Sequence, residues 1–220
     1  MTFKALIADD HSLYRTGLAL LLQDRLGVSE VIQASAFDQA LDLLADTQGI
    51  ALALFDLSMP GMGGPESLGV IKETYPERRV AVVSGSEDRD HVLRSIAVGL
   101  NGYVPKSLSE EEIASALQQI VDGHVYIPKF MTSAPAVHHG ARDRAAGETV
   151  AAEISPNLHK LTPRQRSVLE CVLRGRSNKE VARELDIAEG TVKIHLAALF
   201  VHFGARNRTE LATRAQAISR

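Results

Sequence analysis

Four short apolar runs in this chain each end on a residue able to take part in chemistry. Lys4-Ala-Leu-Ile-Ala leads into Asp9-Asp10, Leu52-Ala-Leu-Phe into Asp56, Arg79-Val-Ala-Val-Val into Ser84, and Gly102-Tyr-Val-Pro into Lys106. Runs of this length, bounded by turn signals such as Pro60-Gly61, read as strands buried on both faces of a parallel sheet. Open α/β sheets carry their chemistry at the C-terminal edge of the strands. Gathered there, Asp9, Asp10, Asp56, Ser84 and Lys106 would line one shallow pocket. Three crowded carboxylates repel one another and need a counter-charge. A hard divalent cation with oxygen ligands supplies it, and Mg²⁺ accepts that set while keeping waters that a phosphate can replace. Lys106 is a point charge suited to a phosphoryl oxygen, and Ser84 can donate a hydrogen bond to another. The chemistry this implies is transfer of a phosphoryl group to Asp56, with the carboxylate as nucleophile.

Bringing those ends together requires strands and helices in alternation. The pattern predicts strands over Phe3–Ala8, Val31–Ala34, Ala51–Phe55, Val80–Val83 and Gly102–Val104. Helices are predicted over about Ser12–Arg25, Phe37–Thr47, Pro65–Thr74, Asp88–Val98 and Glu110–Asp122. Leu13, Leu18, Leu21 and Leu22 are expected on the buried face of the first helix, and Phe37, Ala40, Leu41 and Leu44 on that of the second. Gly61, Gly63 and Gly64 let the loop after Asp56 turn sharply. Five such βα units read as a doubly wound α/β sheet, with the strand order left open by periodicity.

The net charge of −3 conceals an asymmetry. Residues 1–125 carry 9 Lys or Arg against 18 Asp or Glu, a net of −9, while residues 126–220 carry 15 against 9, a net of +6. Opposite signs point to two domains, the basic one a candidate for nucleic acid. We expect a first domain over 1–125, a flexible linker over 126–157 with a helical portion near 142–152, and a second domain over 158–220. The single cysteine, Cys171, excludes an internal disulfide or a cysteine metal cluster and is expected buried on a helix. No stretch has the apolar length of a membrane span and the start has no leader layout, so the expected compartment is the cytoplasm.

The second half reads as four short helices. Thr162, Pro163 and Gln165 open the first, Ser177 and Glu180 box the second, the third covers about Gly190–Phe203 before Gly204, and Asn207 with Glu210 boxes a fourth over Arg208–Ile218. The middle pair has helix-turn-helix spacing. In that geometry the second helix of the pair enters the major groove. Thr191 and Lys193 then occupy reading positions, with Lys179, Arg206 and Arg208 near phosphates.

The set Asp-Asp, Asp-x-x-Met-Pro-Gly-x-x-Gly, Ser and Lys resembles the receiver domain of two-component response regulators. Leu-Thr-Pro-Arg-Gln-Arg-x-Val-Leu, Gly-x-Ser-Asn-Lys-Glu-Val-Ala, Thr-Val-Lys-x-His and Asn-Arg-Thr-Glu-Leu resemble the LuxR-type DNA-binding domain. The resemblance implies a flavodoxin-like five-stranded sheet in the order 2-1-3-4-5, followed by a small all-α helix-turn-helix domain. It implies Mg²⁺ held by Asp9, Asp10, Asp56 and the Ser58 carbonyl, and Asp56 phosphorylated by a histidine kinase or a small phosphodonor. Ser84 and Tyr103 would switch with Lys106, altering the surface around the fourth and fifth helices. Lys179, Thr191, Val192, Lys193 and His195 would lie at or near double-stranded DNA, although Val192 is equally suited to the core. The last helix, through Leu211, Ala212 and Ala215, would contact a second copy in a homodimer formed on activation. The expected function is a phosphorylation-regulated transcriptional regulator, with no membrane partner and no enzymatic activity beyond turnover of its own phosphate. The alternative is a DNA-binding regulator whose receiver is a phosphorylation-independent dimerisation module. A phosphohydrolase reading lacks a second nucleophile, a general acid or a cleft, and leaves the second half unexplained.

Several positions depart from the commonest pattern. Gly85 follows Ser84 where Ala is frequent, Ser107 follows Lys106 in place of Pro, and Gln165 replaces the usual Glu. Ala188 stands where a capping Ser is common, a loss of about 1 kcal/mol. Ala197-Ala-Leu-Phe-Val-His-Phe203 lacks the customary Asn and Lys. With fewer phosphate contacts, DNA binding is expected to be weak and dependent on dimerisation. A gel-shift assay should find monomeric residues 155–220 binding poorly at physiological salt; tight binding there would contradict this expectation.

Overall fold

The computed structural model describes residues 3–132 and 161–218. The expected helical portion near 142–152 and most of the expected linker lie outside them. Strands β1 (Lys4–Ala8), β2 (Glu30–Ala34), β3 (Ile50–Phe55), β4 (Arg79–Ser84) and β5 (Gly102–Pro105) pair in parallel in the order β2-β1-β3-β4-β5. They alternate with helices α1 (Ser12–Leu26), α2 (Phe37–Asp46), α3 (Pro65–Thr74), α4 (Arg89–Ala97) and α5 (Glu110–Val121).

Side chains along each strand alternate between two cores. Leu6, Ala8, Ala53, Phe55, Val80 and Val82 face the core under α2, α3 and α4, whereas Ala5, Ile7, Leu52, Leu54, Ala81 and Val83 face the core under α1 and α5. Both faces are thus covered, which is why these strands are apolar throughout. One expectation fails here: Leu13 is 87% exposed, while Leu18, Leu21 and Leu22 are buried. Leu13 precedes Leu18 by five residues, a rotation of about 140° around the helix that takes it off the buried stripe.

After α5 the chain stays on the first domain for a few residues. Tyr126 donates its N–H to the Asn101 carbonyl and bridges to Gly102, and a 3₁₀ turn over Lys129–Met131 packs Phe130 and Met131 against the core. The second half then forms α6 (Pro163–Leu173), α7 (Asn178–Leu185), α8 (Glu189–Phe203) and α9 (Arg208–Ile218) around its own apolar core. Capping boxes Thr162/Gln165 and Ser177/Glu180 start α6 and α7. At α9 the reciprocal bond shifts: Asn207 accepts from the Glu210 N–H, but the Glu210 carboxylate takes the N–H of Arg206. Cys171 is buried in this core.

Ala188 occupies the N-cap of α8 with extended backbone, φ −65° and ψ 146°, and offers no side-chain bond to the first turn. Ala188→Ser is therefore expected to stabilise the protein by about 1 kcal/mol. The readout is a higher urea midpoint at unchanged slope.

Candidate functional site

The backbone ladder continues one residue past the strands and so sets the chemical groups side by side. The Asp9 N–H donates to the Ala34 carbonyl at 3.1 Å, that of Asp56 to Ala8 at 2.9 Å, and that of Lys106 to Ser84 at 2.8 Å. The side chains then converge. Lys106 Nζ lies 2.7 Å from Asp9 Oδ2 and 2.9 Å from Asp56 Oδ2, and both carboxylates are only 2% exposed. Burial alone would lower the Lys106 pKa. Hydrogen bonds to Asp9 and Asp56 outweigh it and hold the ammonium above its ordinary value. The Ser58 N–H caps Asp56 Oδ1 at 3.2 Å, and the His11 N–H caps Asp9 Oδ1 at 2.8 Å.

Asp10 and His11 close the group at its exposed mouth, with His11 Nδ1 2.9 Å from Asp10 Oδ1 and 4.0 Å from Asp56 Oδ2. One donor atom each from Asp9, Asp10, His11 and Asp56 lies within 4.8 Å of the others, a set able to hold a metal ion. The adjoining pocket is open to solvent and lined by His11, Tyr14, Asp56, Ser58, Gly85 and Lys106. A Cβ added at Gly85 would meet nothing within 4 Å, so the missing methyl leaves this rim wider than Ala would. Ser84 and Tyr103 sit deeper. Ser84 Oγ accepts from the Ser86 N–H at 3.2 Å, and the Tyr103 hydroxyl donates to the Ser86 carbonyl at 2.7 Å.

Two neighbours of Asp56 escaped the sequence reading. The Tyr14 ring lies 4.7 Å from Lys106 Nζ, and burial, then the Asp9 and Asp56 charges, push its hydroxyl pKa up. His11 adjoins the acidic pair directly, and its place at the start of α1 was the signal that it would face the same edge.

In the basic half the expected contacts divide. Lys179, Lys193 and Arg206 are exposed, and Arg208 is half-buried, held by Asn178 Oδ1 and the Arg176 carbonyl. Val192 is buried in the core of that half, as are Leu211 and Ala215, with Ala212 half-buried. Leu211 and Ala215 thus pack within the half, and Ala212 is the member of that set left partly at its surface. Thr191 and His195 are buried as well.

The cover over α8 comes from the first domain. A Cβ at Gly190 would meet Thr74 Cγ2 at 2.7 Å, and one at Gly63 would meet Ala198 Cα at 2.5 Å. The N-terminal end of α8 therefore lies on the C-terminal end of α3, and the two helices run antiparallel in close contact. Ile194, between those points, joins the apolar cluster under α2, α3 and α4. Between the two halves α8 rests on α3, because Gly63, Gly190 and Ala198 let the backbones approach, while α4 borders the adjoining cleft through His91 and Arg94.

Comparison with known proteins agrees with both halves. Residues 5–118 match the family described as response regulator receiver domain, and residues 159–215 match bacterial regulatory proteins, luxR family. The chain is 36% identical over 208 residues to a glycerol metabolism activator of Pseudomonas putida, covering 94% of this chain and 92% of that protein. It is 33% identical over 207 residues to the nitrate/nitrite response regulator protein NarL of Escherichia coli K12, with the same coverage. Among solved structures, the Salmonella typhimurium RcsB response regulator shares the fold at a TM-score of 0.54 and 19% identity, covering 98% of each chain. No helix among the described residues is long and apolar enough to cross a membrane.

His195 makes the cover pH-sensitive. Its Nδ1 is 3.7 Å from Asp38 Oδ1, a distance that would suit an ion pair with a protonated ring. Among the described residues neither ring nitrogen finds a hydrogen-bond partner, however, and burial, reinforced by Arg164 against the pull of Asp42, lowers the ring to about 4. We take the ring as neutral, since desolvation dominates. The buried arrangement then has its full stability above the ordinary value of 6.5 and loses it as the pH falls toward 4. The urea midpoint should fall between pH 7 and pH 5 by more in the wild-type chain than in His195→Asn. Asp38, raised by burial, titrates in both proteins, so their difference isolates the ring.

Proposed function

The chain belongs to the response regulators that join a receiver domain to a LuxR-type DNA-binding domain, and on that premise we propose that its transcriptional activity is governed by phosphorylation of Asp56. The observation that carries this reading is the Lys106 ammonium drawn between Asp9 and Asp56 beside a pocket open to solvent. The donor is a histidine kinase or a small acyl phosphate. An Asp56 carboxylate oxygen forms a bond to phosphorus while the bond from phosphorus to the donor breaks, and that electron pair leaves with the donor. Lys106 meets the charge on the phosphoryl oxygens where a low-dielectric wall strengthens it.

Mg²⁺ is the cation we assign. The carboxylates of Asp9, Asp10 and Asp56 with the Ser58 carbonyl would hold it, since hard oxygen donors suit this ion. Bound there, it supplies counter-charge to the phosphoryl oxygens. The Ser84 hydroxyl turns toward a phosphoryl oxygen and Tyr103 repacks with it.

The same reading assigns 1–125 to the receiver, 126–157 to the linker and 158–220 to the DNA-binding domain. Lys179, Lys193, Arg206 and Arg208 meet DNA phosphates. Thr191 and His195 reach the duplex only when α8 leaves α3, and Val192 supports the helix from its own core. Phosphorylation therefore acts by uncovering α8, after which two copies bind a two-fold site. This is a two-state equilibrium biased by a local change of charge.

Acetyl phosphate with Mg²⁺ should label the wild-type chain, detected as a phosphoryl mass increment. Asp56→Asn, or removal of divalent ions with EDTA, should abolish the label. Labelling retained in Asp56→Asn would overturn the site assignment.

A further inference from the structure

Release of α8 requires a link between Asp56 and the helical half, and we infer that Gln165 is that link, reading the loop 56–64 directly. The inference rests on the reading of Asp56 as phosphoacceptor. The loop has two ends with different partners. At one, the Ser58 N–H is bonded to Asp56 Oδ1. At the other, three residues on, the Gly61 carbonyl accepts a hydrogen bond from Gln165 Nε2 at 2.5 Å. Gln165 lies on α6, is 3% exposed, and uses both ends of its amide. Its Oε1 accepts the Thr162 N–H at 3.2 Å, completing the capping box.

The contact around that bond is tight. A Cβ at Gly61 would meet Thr162 Cγ2 at 2.5 Å, and Gly61 has a φ of +83°, a conformation that glycine adopts without strain. The loop also borders an interdomain cleft of about 810 Å³, which leaves it room to move on one side. Displacement of Ser58 as Asp56 gains a phosphoryl group therefore travels through three residues to a buried hydrogen bond in the other domain. No passage through β4, β5 or α4 is needed.

The residue type matters. Where the family pattern has Glu, a carboxylate could still cap Thr162 but has no hydrogen to give the Gly61 carbonyl. Buried against that oxygen it would repel it, at the cost of an unmet acceptor on each side. Gln165 is thus the form that fastens the loop while the phosphoacceptor is empty.

The test uses full-length Gln165→Glu, which keeps the α6 cap, with Gln165→Met as a second variant lacking the donor without adding charge. Thermal melts identify whichever variant folds. DNA affinity is measured on a fragment selected by the wild-type chain, with and without acetyl phosphate, and the affinity of each chain for beryllofluoride with Mg²⁺ is measured separately. Unphosphorylated variant should bind DNA on the order of tenfold more tightly than unphosphorylated wild type, with its gain on phosphorylation reduced by the same factor. Because coupling free energies are reciprocal, beryllofluoride should bind the variant correspondingly more tightly. A rise in DNA affinity without any change in beryllofluoride affinity would reduce Gln165 to a structural role and overturn the inference. Wild-type behaviour in both assays, with phosphorylation still raising DNA affinity, would overturn it too while leaving the phosphoacceptor reading intact. A wild-type chain that labels at Asp56 but never gains DNA affinity would overturn the reading that phosphorylation governs DNA binding, and the inference with it, while leaving Asp56 as the phosphoacceptor.

Discussion

One ammonium holds the chemical end of this molecule together. Asp9 and Asp56 are buried carboxylates on adjacent strand ends, and without an intervening positive charge their proximity would be strongly unfavourable. Lys106 supplies it from the far side of the sheet, spanning the β4 end between β3 and β5. That reach depends on Pro105 and the short β5 placing Lys106 one residue past the ladder, with its own N–H bonded to Ser84. The arrangement is poised: any new negative charge on Asp56 must compete for, or recruit, the same ammonium.

The second constraint is close packing at the junction of the two halves. Gly63 against Ala198 and Gly190 against Thr74 bring α3 and α8 into close approach at two points, with Ile194 packed between them. This accounts for two departures from the LuxR-type pattern. Ala198 belongs to the stretch that lacks the customary Asn and Lys, and it is the residue lying on Gly63. Gln165, in place of Glu, donates to Gly61. Both departures lie where the helical half meets the receiver.

Legibility in the sequence followed the range of the interaction responsible. Helix and strand positions were readable because apolar period and capping residues act over three to five neighbours, as Thr162 with Gln165 and Ser177 with Glu180 illustrate. Leu13 is misleading because leucines crowd residues 13–22, five in ten, although only Leu18, Leu21 and Leu22 share the buried helical face. Ile194 was unreadable for a different reason. An apolar residue on a helix declares that it will be buried, but nothing local says that the partner is another domain. Val192, left between core and DNA, lies in the core of the helical half. His195 shows the same limit in a polar group, since its neutral state comes from burial against the first domain, reinforced by Arg164 and opposed by Asp42.

By itself, the order of residues determined the parallel sheet, the four helices of the basic half, and the meeting of Asp9, Asp10, Asp56, Ser84 and Lys106 at one edge. Those outcomes follow from alternation, turn chemistry and the rule that a parallel sheet gathers its strand ends. Only the tertiary structure decided which surface of the receiver meets α8, that Gln165 touches the loop of Asp56, and that Thr191 and His195 are covered. Such contacts join residues more than a hundred positions apart through shape and backbone proximity, and no local pattern encodes which small residue will lie against which.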